Sequence, residues 1–344
     1  MGFYGLSAIV TPARGGFTAR LNSTKEHSCT QNIGLRLIPT RRRYLAGLPV
    51  FRRIRSFNAS GVRVSLSPIL PILPMPPILD NKQPDAPSLF EPRALLREAR
   101  RQKGLPAADV PPICVLDPDG DIVRRLKEAG LARRSAAWPC YHTDLYSFPL
   151  AGQTAGIIGC AVGAPFAVLV AEQLFACGCR TLISVTSAGQ IVPASRPPYF
   201  VIIDRALRDE GTSYHYAAPS AFAEADPDLV ALAMRALKDA GLPAFVGASW
   251  TTDAPFRETD AAIAAARAGG VLAVEMEAAA LYAFSRERNK AVLCLAQVTN
   301  TMGLAGEDFE KGEAQGTTDA LLILDALASA LSPAEFAGVS VRTR

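Results

Sequence analysis

Apolar residues along the chain fall into short runs bounded by Gly, Pro and Asp, alternating with longer stretches of helical spacing. Pro92 opens a helical stretch that reaches about Lys103, and residues 113–116 form a short apolar strand. The tight turn Asp117-Pro118-Asp119-Gly120 leads into a helix that Gly130 ends. Residues 156–161 read as a strand, Gly163-Ala164-Pro165 as a loop, and Pro165 starts a helix through Phe175 that Gly178 stops. Residues 181–185 form a strand ending in the loop Thr186-Ser187-Ala188-Gly189, and residues 199–203 another strand. Asp226 caps a helix opened by Pro227 and closed by Gly241. Strands at 245–250, 271–275 and 292–298 complete the set, with helices at about 258–268, 276–287 and 317–331. The stripe Leu321, Leu324, Leu327, Leu331 marks the buried face of the last helix. This alternation predicts an α/β fold of three layers: a twisted, mostly parallel or mixed central sheet flanked by helices. In such sheets ligands collect where strands end and helices begin. Chemistry is therefore expected in the loops after Leu116, Ala161, Val185, Trp250, Glu275 and Val298.

Charge divides the chain unevenly. Residues 1–80 hold 11 of the 36 Lys and Arg but only Glu26 and Asp80 of the 32 acids, leaving 25 basic and 30 acidic residues elsewhere. The body is thus acidic and is not expected to bind nucleic acid. Five prolines between Ser67 and Leu79 forbid a regular helix there. Residues 1–85 are expected to be a basic, Pro-rich extension that is disordered or not natively translated, with Met75 a sensible start, and residues 86–335 a single catalytic domain. The uncharged stretch from Leu145 to Ala171 is long enough to span a membrane, but Pro149, Gly156, Gly159, Gly163 and Pro165 make it strand, loop and helix instead. No membrane association is expected. The seven scattered cysteines read as buried, reduced thiols of a cytoplasmic protein. Cys177-Gly178-Cys179 has neither redox nor zinc spacing, the three histidines are far apart, and Ile122 stands where a calcium loop around Asp117 needs glycine, so no metal is expected.

The strongest chemical signal is Val274-Glu275-Met276-Glu277-Ala278-Ala279-Ala280-Leu281, an apolar strand running straight into two carboxylates. In an extended chain Glu275 and Glu277 project to the same side. A carboxylate accepts from vicinal sugar hydroxyls and stabilises the oxocarbenium character that a sugar gains as its glycosidic bond breaks. The competing reading is a pair of acids at a helix N-terminus, favoured by the helix dipole.

This segment resembles the VEMEA- or YEMES-type signature of the nucleoside phosphorylase and nucleosidase superfamily. Three further segments resemble that family in the same order: the strand and glycine loop 180–189, Asp253-Ala254-Pro255-Phe256, and Val298-Thr299-Asn300. Asp117-Pro118-Asp119 resembles part of its N-terminal phosphate loop. The likeness spans about residues 110–331 and is closest to the uridine phosphorylase branch. It implies that Glu277 binds the ribose hydroxyls, Met276 packs against the sugar and Glu275 supports the pocket. It further implies that Phe256 stacks on the base, Arg257 reaches the base's polar edge and Asn300 hydrogen-bonds the leaving base. Thr186, Ser187, Ala188 and Gly189 would surround sugar and nucleophile. The implied reaction is phosphorolysis of a nucleoside to free base and pentose 1-phosphate, with phosphate as co-substrate, no cofactor, and a homo-oligomeric enzyme.

The chain departs from the family where phosphate is held. Gly120 and Ser184 stand where the resemblance places arginines, and His142 lies near the position of a third, contributed across a subunit interface. Charge-assisted contacts are about twice as strong as neutral ones, so their loss weakens dianion binding. Arg208, Arg205, His142 and Arg257 are the replacement candidates, and Gly163, Arg208, His142 and Ser187 are the candidate phosphate or nucleophile site. The alternative reading is a phosphate-independent nucleosidase of the same fold. Asn300, in place of Asp, favours the phosphorylase.

Overall fold

The structure is a computed structural model that describes residues 7–13, 16–22, 76–301 and 310–331. The chain divides into two units, Met1–Leu73 and Pro74–Arg344. In the first, β1 (Ser7–Ala13) and β2 (Gly16–Asn22) pair as an antiparallel ribbon. The expected disorder of the remaining residues up to 75, and a start at Met75, concern positions outside the described residues. Residues 76–85 belong to the second unit. They turn tightly, Leu79 N–H donating to Pro76 O at 2.8 Å, and Ile78 approaches Gly211 so closely that a Cβ there would meet it at 3.0 Å. The compact body therefore begins before residue 86.

That body follows the order α1 (Pro92–Lys103), β3 (Ile113–Asp117), α2 (Asp121–Glu128), β4 (Arg133–Arg134), β5 (Tyr146–Leu150), β6 (Gln153–Gly159), α3 (Ala164–Ala176), β7 (Thr181–Gln190), β8 (Tyr199–Asp209) and β9 (Phe222–Glu224). It continues with α4 (Pro227–Asp239), β10 (Ala244–Thr252), α5 (Asp260–Ala268), β11 (Ala273–Glu275), α6 (Ala278–Arg288), β12 (Ala291–Thr301) and α7 (Thr317–Ala330). The strands lie in the order β11-β10-β8-β12-β7-β3-β6-β5-β4, with β9 on β8. Pairing is mixed: β3, β6, β7 and β12 run parallel, whereas β8 lies antiparallel to β12. One apolar core joins α1, α3 and α6 to one face of the sheet, and a second joins α2, α4 and α7 to the other. The expected three layers are present.

Two features go beyond the expected pattern. First, β11 pairs in parallel with β10 and also antiparallel with the end of β7, Val274 facing Gly189, so the sheet curls back on itself. Second, β7 does not stop at Val185. Residues 186–190 remain paired with β12 on one side and meet β11 on the other. The expected loop Thr186-Ser187-Ala188-Gly189 is strand, because pairing with two neighbours outweighs the local preference of Gly189 for a turn. The uncharged stretch 145–171 folds as the hairpin β5–β6 followed by α3. Ala151 and Gly152 make the turn with φ of 49° and 71°, the left-handed values of a tight hairpin. Pro149 sits inside β5 near the edge of the sheet, where a missing N–H is tolerated.

Candidate functional site

Five chain segments converge at the carboxyl ends of β3, β6, β7, β11 and β12. The first is the turn after β3. The buried Asp117 carboxylate accepts the backbone N–H of Gly120 at 3.1 Å and of Val123 at 2.9 Å, folding the turn and capping α2. Burial pushes Asp117 up to about 7, although these amides oppose the rise. Gly120 has φ of 75°, and a Cβ there would come within 2.6 Å of Cys160 Sγ. An arginine at this position would adopt a strained left-handed backbone and displace the Cys160 side chain, which gives a local reason for the departure from the family pattern.

The turn presents Asp119 to β7. Asp119 Oδ1 accepts the Ser187 hydroxyl at 2.9 Å and Oδ2 accepts the Ser187 backbone N–H at 2.8 Å. In the sequence Asp119 carries no signal of a role beyond being an acid in the turn after a strand.

The two acids of the 274–281 segment have separate surroundings. Glu275 is fully enclosed. Its Oε1 accepts the hydroxyls of Ser249 at 2.9 Å and Thr251 at 2.5 Å, and its Oε2 accepts the backbone N–H groups of Glu277 and Ala278, both at 2.7 Å. With four donors spent on it, Glu275 supports the start of α6 and ties β10 to it rather than facing a ligand. The two carboxylates thus meet different partners, Glu275 those of β10 and the start of α6 and Glu277 the loop before α3, and the backbone turns into the helix at Glu277, whose φ and ψ are −129° and −39°.

Glu277 is 1% exposed. Its Oε1 accepts the Gly163 backbone N–H at 2.7 Å, from the loop between β6 and α3. Its Oε2 is buried and has no hydrogen-bond partner among the described residues. Burial foremost, and then the Glu275 charge, push Glu277 up to about 8, while the Gly163 amide and the Thr186 hydroxyl oppose the shift. A buried, unpaired carboxylate oxygen is costly unless a ligand supplies the donor.

β12 contributes Asn300, half-buried and in register with Gly189 across a bulge after Val298. Its Oδ1 accepts the Thr299 hydroxyl at 3.3 Å. Met276 is half-buried between the two acids, and Ala188 and Gly189 are buried in β7.

Other candidates lie apart from this centre. Phe256 stands on the short turn after β10 with its ring 98% exposed, and Arg257 beside it is exposed as well. Neither is packed against the acids. Arg208 is buried, and its guanidinium is spent on its own loop. It donates to Ser213 Oγ at 2.8 Å, Ala218 O at 2.6 Å, Ser220 Oγ at 2.8 Å and Ala217 O at 3.2 Å. It organises residues 213–220 and is not available to an anion. His142 is exposed on the loop before β5, beside α1 at the β4–β5 edge of the sheet. Ser184 is buried in β7, and its hydroxyl has no hydrogen-bond partner among the described residues. Among the described residues no arginine or lysine is paired with Asp119, Ser187 or Glu277. Lys311 reaches the neighbouring Asp121 at 2.6 Å.

Comparison with known proteins agrees with this arrangement. A family model described as the phosphorylase superfamily matches residues 112–329. A DeoD-type purine nucleoside phosphorylase of Streptococcus uberis is 27% identical over 174 residues, covering 50% of this chain and 73% of that protein. A guanosine phosphorylase of Halorubrum lacusprofundi is 27% identical over 132 residues, 38% of this chain and 55% of its own length. A uridine phosphorylase of Thermococcus kodakarensis is 27% identical over 184 residues, 48% of this chain and 65% of its own length. The crystal structure of uridine phosphorylase from Vibrio fischeri shares the fold with a TM-score of 0.55 at 21% identity, covering 65% of this chain and 95% of that one. A mixed sheet with this strand-end arrangement, and a family match across nearly the whole described body, make the chain a member of the phosphorylase superfamily.

Proposed function

We propose that this protein cleaves the N-glycosidic bond of a nucleoside by phosphorolysis. The observation that carries the reading is Glu277, a buried carboxylate with one oxygen held by Gly163 and the other without a hydrogen-bond partner among the described residues. Vicinal ribose hydroxyls supply the missing donors, and the negative charge steadies the pentose as it becomes an oxocarbenium ion. The C–N bond breaks and its electron pair leaves with the base. An oxygen of phosphate forms the new bond to the same sugar carbon. Hydrogen phosphate gives up one proton in becoming the ester, and the departing base gains one. Asn300 is assigned to the leaving base, Met276 to the sugar, and the 186–189 segment to sugar and nucleophile. For Phe256 and Arg257 the assignment to the base requires a ligand, or a second subunit, to cover the exposed turn.

The names of the three relatives all describe phosphorylases, which supports phosphate as the nucleophile and disfavours the nucleosidase alternative. The reading includes a homo-oligomer, supported by exposed apolar side chains at Tyr141, Val162, Leu169 and Phe256. A cytoplasmic location is supported by the six free cysteines of the described body. Incubation with purine and pyrimidine nucleosides, with and without phosphate, tests the reaction. Base release that requires phosphate and yields pentose 1-phosphate is expected; release at an equal rate in its absence, with free pentose as product, would overturn it.

A further inference from the structure

We propose that Asp119 makes this a site for a protonated oxyanion, hydrogen phosphate recognised through its own P–OH group. The inference rests on the phosphorolytic reading above. The anion is assigned to the space beside Ser187, whose neighbours include the carboxylates of Asp119 and Glu277, and among the described residues no arginine or lysine is paired with either. Asp119 already takes both polar hydrogens of Ser187, its N–H at 2.8 Å and its O–H at 2.9 Å. The Gly163 N–H, the natural donor of the neighbouring loop, is taken by Glu277 at 2.7 Å. An anion with only acceptor oxygens meets repulsion here and finds these donors occupied.

Hydrogen phosphate differs in carrying a donor. Each Asp119 oxygen accepts one hydrogen bond from Ser187 and keeps a further lone pair. The P–OH donates to Asp119, and a hydrogen bond to an ionised acceptor is of the stronger kind. The Ser187 hydroxyl is then free to rotate, exchange its acceptor, and donate to an unprotonated phosphate oxygen. Asp119 thus does by hydrogen bonding what arginines do by charge, beside Gly120, whose φ of 75° disfavours an arginine. Arsenate carries the same hydroxyl near neutral pH. Sulfate has the same shape and charge but no hydrogen, and leaves Asp119 facing a bare oxygen.

The test compares these three anions at matched ionic strength. In the unaltered enzyme, phosphate and arsenate should raise the unfolding temperature and support base release. Sulfate should do neither, and should inhibit phosphorolysis with a Ki on the order of a hundredfold or more above the phosphate KM, as sites built around a ligand hydroxyl reject analogues lacking it. Asp119→Asn, whose amide donates, should turn sulfate into a competitive inhibitor with a Ki at least ~10-fold lower than in the parent. An unaltered enzyme that phosphorolyses nucleosides yet binds sulfate as well as phosphate overturns the assignment to Asp119 and leaves the proposed reaction standing. So does an Asp119→Asn enzyme that still excludes sulfate. Base release indifferent to phosphate overturns the reaction and this inference together. The anion measurements on the unaltered enzyme decide the question even if Asp119→Asn does not fold.

Discussion

Glu277 concentrates the chemistry of this protein in one side chain. Burial and the nearby Glu275 charge hold it up at about 8, so near neutrality most of the population carries a neutral carboxyl. An oxocarbenium ion is stabilised by the ionised form. The kcat/KM for nucleoside should therefore rise with pH through about 8, since that parameter reports ionisations of the free enzyme. Glu277→Gln should remove the rise and lower turnover by roughly a hundredfold, as for loss of one preorganised charge. Steady-state rates across pH for both proteins check this, and near-normal turnover of the variant would displace Glu277 from the mechanism. Arg208 illustrates the converse. A buried arginine near a candidate pocket is easily taken for an anion ligand, but its donors serve carbonyls and hydroxyls of its own loop.

Individual elements owe their ends to side chains that the chain brings back to them. α6 starts at Ala278 because Glu275 caps its first amides from β11, which also ties β10 to the helix through Ser249 and Thr251. α4 starts by a local device. Asp226 Oδ1 accepts the backbone N–H groups of Asp228 at 2.8 Å and Leu229 at 3.3 Å, and Pro227 occupies the first helical position. Asp226→Ala should cost about 1 kcal/mol of stability, read as a lower urea midpoint at unchanged slope. Because α4 lies on the face of the sheet away from the acids, nucleoside turnover should stay within twofold of the parent (about 0.4 kcal/mol).

For the molecule as a whole, two buried carboxyls tie stability to pH. Asp117 and Glu277 are raised to about 7 and about 8, from ordinary values of 3.8 and 4.5. Each binds its proton more tightly folded than unfolded. Their contribution is fully present below the ordinary carboxylate range and is lost as pH rises through the folded values. The unfolding temperature should accordingly fall between about pH 5 and pH 8.5, and Glu277→Gln should flatten that fall. A variant whose unfolding temperature tracks the parent at every pH would show that Glu277 titrates normally in the folded protein. The same burial serves function: the curled sheet brings the ends of β7, β11 and β12 together and encloses Glu277 between them.

Patterning along the chain was enough to read the alternation of strands and helices, the Asp226 cap and the last helix's buried stripe, because each depends on neighbours within a turn or two. It also located Glu277 and Asn300 at strand ends, where family likeness and the geometry of α/β sheets point to the same loops. What local pattern could not reveal depends on partners far away in sequence. The run of β7 through Gly189 needed β11 and β12 beside it, the hairpin strand containing Pro149 needed β6, and the separate fates of Glu275 and Glu277 needed Ser249, Thr251 and Gly163. Asp119 had no distinguishing mark until folding laid it against Ser187, 68 residues on. Local propensity and periodicity are written in short stretches of sequence, whereas a carboxylate becomes scaffold, ligand group or selector only through the donors that tertiary packing sets around it.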